Sequence, residues 1–293
     1  MQFVTPANVL AALLLLIPYL AVAFFPQAVA HRIRTVPTWA QLACPALLSI
    51  PYLLVAIPAH LFRPGWFALY LLLPVAIALV LFLAGRADPH QHTTWREFCI
   101  LLTLGLAVDL RWFEHAWPAH LAIFNKVLLL DAGIYGLVLI RRLNGTGFDL
   151  RFRLRDLTLG LREVLFYLPI ALALGFSLAF LHFHPNWPAP WRIPVAWIFT
   201  LLFIAVPEEL FFRGWMQNLL EKHVGRRGAL FLTALIFGLA HFNKRTTGFN
   251  WRYVLLAAVA GIFYGRAWRS RRRVGASAIT HATVDTIWSL WLR

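Results

Sequence analysis

Charge is scarce in this chain of 293 residues: Asp, Glu, Lys and Arg make up only 13% of it, about half the share of an ordinary soluble domain. A soluble globular protein is thereby excluded, because its exposed helix faces would lack polar cover. Cysteine is nearly absent, and Cys44 and Cys99 both lie in or beside apolar segments, so no disulfide framework or cysteine-rich metal cluster can be built. No glycine-rich phosphate loop, HExxH string, GxGD motif, low-complexity tract or repeat of 20 to 50 residues occurs. Acidic residues are the scarcest charges, 12 against 27 Lys and Arg.

What fills the chain is apolar. Hydrophobic residues make up 60%, and 24 Phe, 13 Trp and 7 Tyr supply more burial than a disordered chain carries. Apolar runs of membrane-spanning length recur almost end to end, so the bilayer is the main solvent. Stretches such as Trp66 to Ala84 are apolar on every side, which fits helices that satisfy their own backbone rather than barrel strands of alternating polarity. The fold class is all-α, a polytopic transmembrane helical bundle of about eight to ten spans. These are placed near 7–25, 40–62, 65–84, 97–110, 118–140, 163–183, 194–220, 228–242, 252–268 and 274–292. The first run is longer than a signal-peptide core, has no basic region before it, and reads as a retained span.

The net charge of +15 follows topology rather than nucleic acid, since the basic residues mostly sit between apolar runs. With the N-terminus outside, 19 of the 27 fall on the cytoplasmic side, among them Arg86, Arg151, Arg153, Arg155 and Arg269 to Arg273. Arg63, Arg111, Arg192, Lys244, Arg245, Arg252 and Arg293 fall outside. Residues 1–143 read as N-terminal spans of unassigned role, 144–162 as a basic cytoplasmic surface segment, and 163–293 as the working core. The Pro- and Trp-rich stretch 184–194 reads as the main outer loop.

An ionisable side chain inside a membrane costs roughly 2.5–3.5 kcal/mol on insertion scales and marks function by default. Glu208 and Glu209 interrupt the apolar run 199–220. Glu209 and Arg213 stand four apart on one helical face and predict an ion pair, while Glu208 points about 100° away. Pro207 removes a backbone donor just before them. Phe237 and His241 form a second i, i+4 pair, and His281 and Asp285 a third, so three helices offer polar groups that cannot face lipid. Convergence on one internal cavity is the arrangement of lowest cost. Lys126 and Asp131, five apart, are poorly spaced for a direct pair.

A carboxylate base with two histidines and a further acid suits activation of water for amide hydrolysis. A metal held by Glu208, His241 and His281 is chemically allowed, since two histidines and one carboxylate form a familiar zinc set.

In that order on three polar-bearing spans, Glu208-Glu209-x-x-x-Arg213, Phe237-x-x-x-His241 and His281-x-x-x-Asp285 resemble the three motifs of the CPBP family, also called the Abi or CAAX-protease-like family. The block 257–285 resembles its third conserved segment, and the likeness covers about 194–292. The resemblance implies an intramembrane glutamic endopeptidase without metal or other cofactor. Glu208 would activate water with help from His241; His281 and Asp285 would complete the polar cavity; Glu209, Arg213 and Phe237 would support it. Many members carry Asn at the position of Asp285. An amide donates to an oxyanion, whereas an ionised carboxylate cannot, so a role orienting His281 is the expectation here. The implied partners are a membrane-anchored protein or peptide substrate and the lipid bilayer, not nucleic acid, and the implied location is a bacterial plasma membrane. The readings from other classes are a non-cleaving binding or immunity scaffold and a proton-coupled transporter using Lys126, Asp131, Glu208 and the histidines in a relay.

Overall fold

The computed structural model describes residues 5–184, 187–244 and 248–292. Two positions of the outer loop, 185 and 186, and the basic residues Arg245 and Arg293 lie outside them. Among the described residues there is no strand, and every regular element is helical. The chain divides into two compact units, Met1–Asn144 and Gly145–Arg293.

The first unit contains α1 (Pro6–Phe24), α2 (Pro26–Thr35), α3 (Thr38–Ala56), α4 (Pro64–Ala87), α5 (Trp95–Asp109) and α6 (Ala119–Ile140). Proline opens α1, α2 and α4 at a position where the missing N–H would have no helical partner anyway. Thr94 and Glu97 form a reciprocal cap at the start of α5. A core of Leu15, Tyr52, Val55, Tyr70, Trp117 and Leu128 joins α1, α3, α4 and α6. Its polar atoms are matched internally, with the Trp117 indole donating to the Tyr70 hydroxyl over 2.8 Å. At one end the buried Arg141 guanidinium meets Glu97 at 2.6 Å and Asp88 at 2.8 Å.

The second unit contains α7 (Leu154–Ser177), the long run α8 (Arg192–Leu239), α9 (Trp251–Arg271) and α10 (Val274–Trp291). At 48 residues, α8 measures about 70 Å, over twice a bilayer core, but Gly225 breaks it. There φ is 70° and ψ is 171°, a conformation that only glycine adopts without strain, and the helix splits into arms 192–224 and 226–239. Among the described residues six helical stretches are long and apolar enough to cross a membrane, α8 counted once. The protein is an all-α, multi-pass integral membrane bundle. The more polar α9 and α10, 21 and 18 residues long, complete the second unit.

The span expected at 40–62 stops at Ala56, and one other departs further from the sequence reading. The span expected at 163–183 is a helix over Leu154–Ser177, so the second half of the basic segment 144–162 is helical. Arginine partners, two of them from beyond this helix, make this possible. Arg273 holds the buried Asp156 in the first turn at 2.7 Å, and Arg162 and Arg266 hold the buried Glu163 at 2.8 and 3.1 Å. The far end stops early because the chain turns through Ala179 at φ 48°. The segment's first half is bound down as well: Arg273 reaches the Asp149 carboxylate at 3.3 Å and donates to its carbonyl at 2.9 Å.

Candidate active site

The first arm of α8 is not a uniform α-helix. Residues Leu201–Ala205 and Leu210–Gln217 are π-helical, with a short α-helical turn, Val206–Glu209, between them. Pro207 has no N–H to return to the preceding turn, and the ladder widens on either side of it. This irregular turn carries Glu208 and Glu209.

The two glutamates have opposite surroundings. The side chain of Glu209 is fully buried, with Oε2 3.2 Å from Arg213 Nε and Oε1 2.9 Å from His281 Nδ1. Glu208 is 37% exposed, and its Oε2 stands 3.9 Å from His281 Nε2. Arg213, also fully buried, donates from Nη2 to the Gly261 carbonyl at 3.2 Å and lies over the Phe237 ring at 4.8 Å. A cation inside the bilayer is thereby supplied with a carboxylate, a carbonyl and an aromatic face.

His281 is the hub. Its Nδ1 donates to Glu209, while Nε2 lies 3.4 Å from Asp285 and 3.9 Å from Glu208, so one imidazole joins three acids. The ring is stacked on Tyr264 at 4.6 Å with planes 16° apart, and the Phe237 edge meets it at 90°. His241 sits at the end of the second arm of α8, where its Nδ1 donates to the Phe237 carbonyl at 2.8 Å. That bond leaves Nε2 as the free nitrogen of the neutral ring. Glu208 and His281 both lie within electrostatic reach of His241.

The seven residues of the three motifs therefore gather in the second unit, around two histidines. The Glu209–Arg213 and His281–Asp285 contacts follow their four-residue spacing. The partner that fixes His281 at Nδ1 is Glu209 from another helix, and spacing within α10 cannot reveal it. Tyr253 and Tyr264 of α9 escaped notice too: Tyr264 stacks on His281, and the Tyr253 ring lies 4.8 Å from that of His241, tilted by 52°. Their separation of eleven residues, three helical turns, was the available signal. Lys126 and Asp131 do not pair. Lys126 Nζ lies 3.7 Å from Glu114, and Asp131 is buried without a hydrogen-bond partner. Among the described residues no group of three His, Cys, Asp or Glu side chains is placed to hold a metal ion.

Residues 190–287 match the family model described as type II CAAX prenyl endopeptidase Rce1-like. The second unit is CAAX-protease-like. The match spans about a third of the chain and includes all three motifs, from Glu208 to Asp285. No curated protein and no solved structure matches the chain. The likeness is to a family of membrane-embedded peptidases, and it extends over residues 190–287. Within this CAAX-protease-like unit the three motifs lie on the first arm of α8, its second arm and α10, and α9 packs both tyrosines against them.

Proposed function

We propose that the protein is a glutamic-type intramembrane endopeptidase that cleaves a peptide bond of a membrane-anchored protein or peptide in a bacterial plasma membrane, without a metal. The observation that carries this reading is the division between the two glutamates. Glu209 is buried and engaged by Arg213 and His281, whereas Glu208 is partly exposed beside His281 and free to meet water.

In this reading the Glu208 carboxylate takes a proton from a water molecule, and the water oxygen bonds to the scissile carbonyl carbon. His241, whose Nδ1–H is committed to Phe237, offers Nε2 as a second acceptor that aligns the water. Charge develops on the carbonyl oxygen as the tetrahedral species forms. As the C–N bond breaks, the proton held by Glu208 passes to the departing nitrogen, leaving a new carboxyl end and a new amine. Asp285 as a carboxylate does not donate to the oxyanion; it holds His281 at Nε2, opposite Glu209. The transporter alternative gains no support from a Lys126–Asp131 pair, since Lys126 stands 3.7 Å from Glu114.

The test is cleavage of a library of membrane-anchored peptides by purified wild type and Glu208→Gln, with and without chelator, read by mass spectrometry. Wild-type cleavage that survives the chelator, with a loss of roughly 10²–10⁴-fold in Glu208→Gln, is the expected result. Equal cleavage by the variant would remove Glu208 as the base, and loss with the chelator would replace the water mechanism with a metal one. Folded wild type that cuts nothing would leave the non-cleaving scaffold as the better reading.

A further inference from the structure

Behind the two glutamates the first arm of α8 carries a polar residue at every fourth position: Glu209, Arg213, Gln217 and Glu221. The first three side chains are completely buried, and that of Glu221 is nearly so. An α-helix drifts forward at four-residue spacing, but the π-helical turns over 210–217 lag behind it, so all four positions keep to one side.

Each position also presents a buried polar atom without a hydrogen-bond partner. These atoms are Glu209 Oε2, Arg213 Nε and Nη1, both side-chain polar atoms of Gln217, and Glu221 Oε1. The Glu209 and Arg213 atoms face each other at 3.2 Å as an ion pair, yet without hydrogen-bond geometry. Across from the row, Thr233 Oγ1, one turn before Phe237 on the second arm, is buried and unmatched in the same way.

The other wall is the glycine face of α9. Gly261 gives its carbonyl to Arg213, and one turn on, a β-carbon at Gly265 would come within 2.7 Å of Gln217 Oε1. Side chains are therefore missing from α9 where the row passes. The row ends at Glu221, which pairs with the 40%-exposed Arg272, beside Arg226, Arg227, Arg269 and Arg271. By the positive-inside rule this basic end faces the cytoplasm.

Buried polar groups that no protein group satisfies are held by ordered water when several converge on one site. We infer that Glu209, Arg213, Gln217, Glu221 and Thr233 form an internal water-binding seam, about 18 Å long, between the cytoplasmic end of the second unit and the catalytic glutamates. The seam binds water whatever the chemistry at Glu208. Its role as the supply of hydrolytic water rests on the function proposed above, and the experiment separates the two.

X-ray hydroxyl-radical footprinting labels buried side chains only where bound water stands beside them. Leu230, at the Gln217 notch, and Phe237, under Arg213, are almost fully buried, as are Leu128 and Ile77 in the first unit. In detergent-purified wild type, Leu230 and Phe237 should be labelled several-fold faster than Leu128 and Ile77. Gln217→Leu should bring Leu230 down to their level, and Gln217→Asn should keep the label. Equal, negligible labelling of all four residues in wild type would overturn the seam, and that comparison needs no variant and no substrate. In the cleavage assay Gln217→Leu should lower kcat roughly tenfold with KM unchanged. An unchanged kcat in a variant that has lost the label would overturn the supply role while leaving cleavage by Glu208 intact.

Discussion

Removing the cation from beneath the glutamates gives the sharpest test of how the site is held. In Arg213→Met the flexible apolar side chain fills much of the same volume, but the Glu209 carboxylate stays buried with only His281 beside it. At 3.2 Å and an effective dielectric near 20, the lost attraction is about 5 kcal/mol. Breaking one partner of a buried pair typically costs about 3–5 kcal/mol, because the charge left behind is uncompensated. Arg213→Met also loses its bond to the Gly261 carbonyl and its place over Phe237, so the single variant overstates the pair. A cycle with Glu209→Gln and the double variant subtracts those terms. Reversible unfolding in mixed micelles should give a coupling of about 3 kcal/mol or more, with the double variant more stable than Arg213→Met alone. Additivity to within about 0.5 kcal/mol would refute the argument that the two charges are buried for each other's sake.

Two further predictions concern the packing around the site. A β-carbon on Gly238 would lie 2.5 Å from the Val254 carbonyl and 2.7 Å from Ala258 Cβ, so Gly238→Ala must push α8 off α9; it should cost about 1–3 kcal/mol in the same unfolding assay, and a neutral effect would contradict the close approach. Asp149 lies outside the spans, and hydrogen bonds from Arg151, joined by Arg273, hold its carboxyl well below the ordinary acid range despite partial burial. A depressed folded value contributes stability that is complete above about pH 4 and is lost as pH falls toward that value. Acid unfolding of wild type should show this loss, and Asp149→Asn should flatten it.

The sequence made the fold class and the three polar motifs legible for the same physical reason: in a bilayer, apolar length and misplaced charge are both conspicuous. Each of the ten expected spans overlaps a helix; that at 40–62 stops at Ala56, and that at 163–183 is shifted because Asp156 and Glu163 are neutralised by arginines far along the chain. Contacts at four-residue spacing, such as Glu209 with Arg213, could be read directly. The bond between Glu209 and His281 could not, since 72 residues separate the two. Tyr253 and Tyr264 were hidden for a different reason: in a chain this rich in aromatic residues, a ring packed on a histidine looks like core until its neighbour is known. The π-helical turns were foreshadowed only by Pro207.

The order in which the ribosome delivers these helices gives the Glu209–Arg213 pair one more consequence. Glu209 reaches the membrane before His281 exists, so the imidazole cannot shield it during insertion. Arg213 is made on the next turn of the same helix and arrives with it, so the two enter lipid as an internally neutral unit. Glu208 and His241 are likewise in place before α10. Assembly of the three-acid cluster therefore waits for α10, and a half-made chain holds its acids in the bilayer without the histidine that organises them.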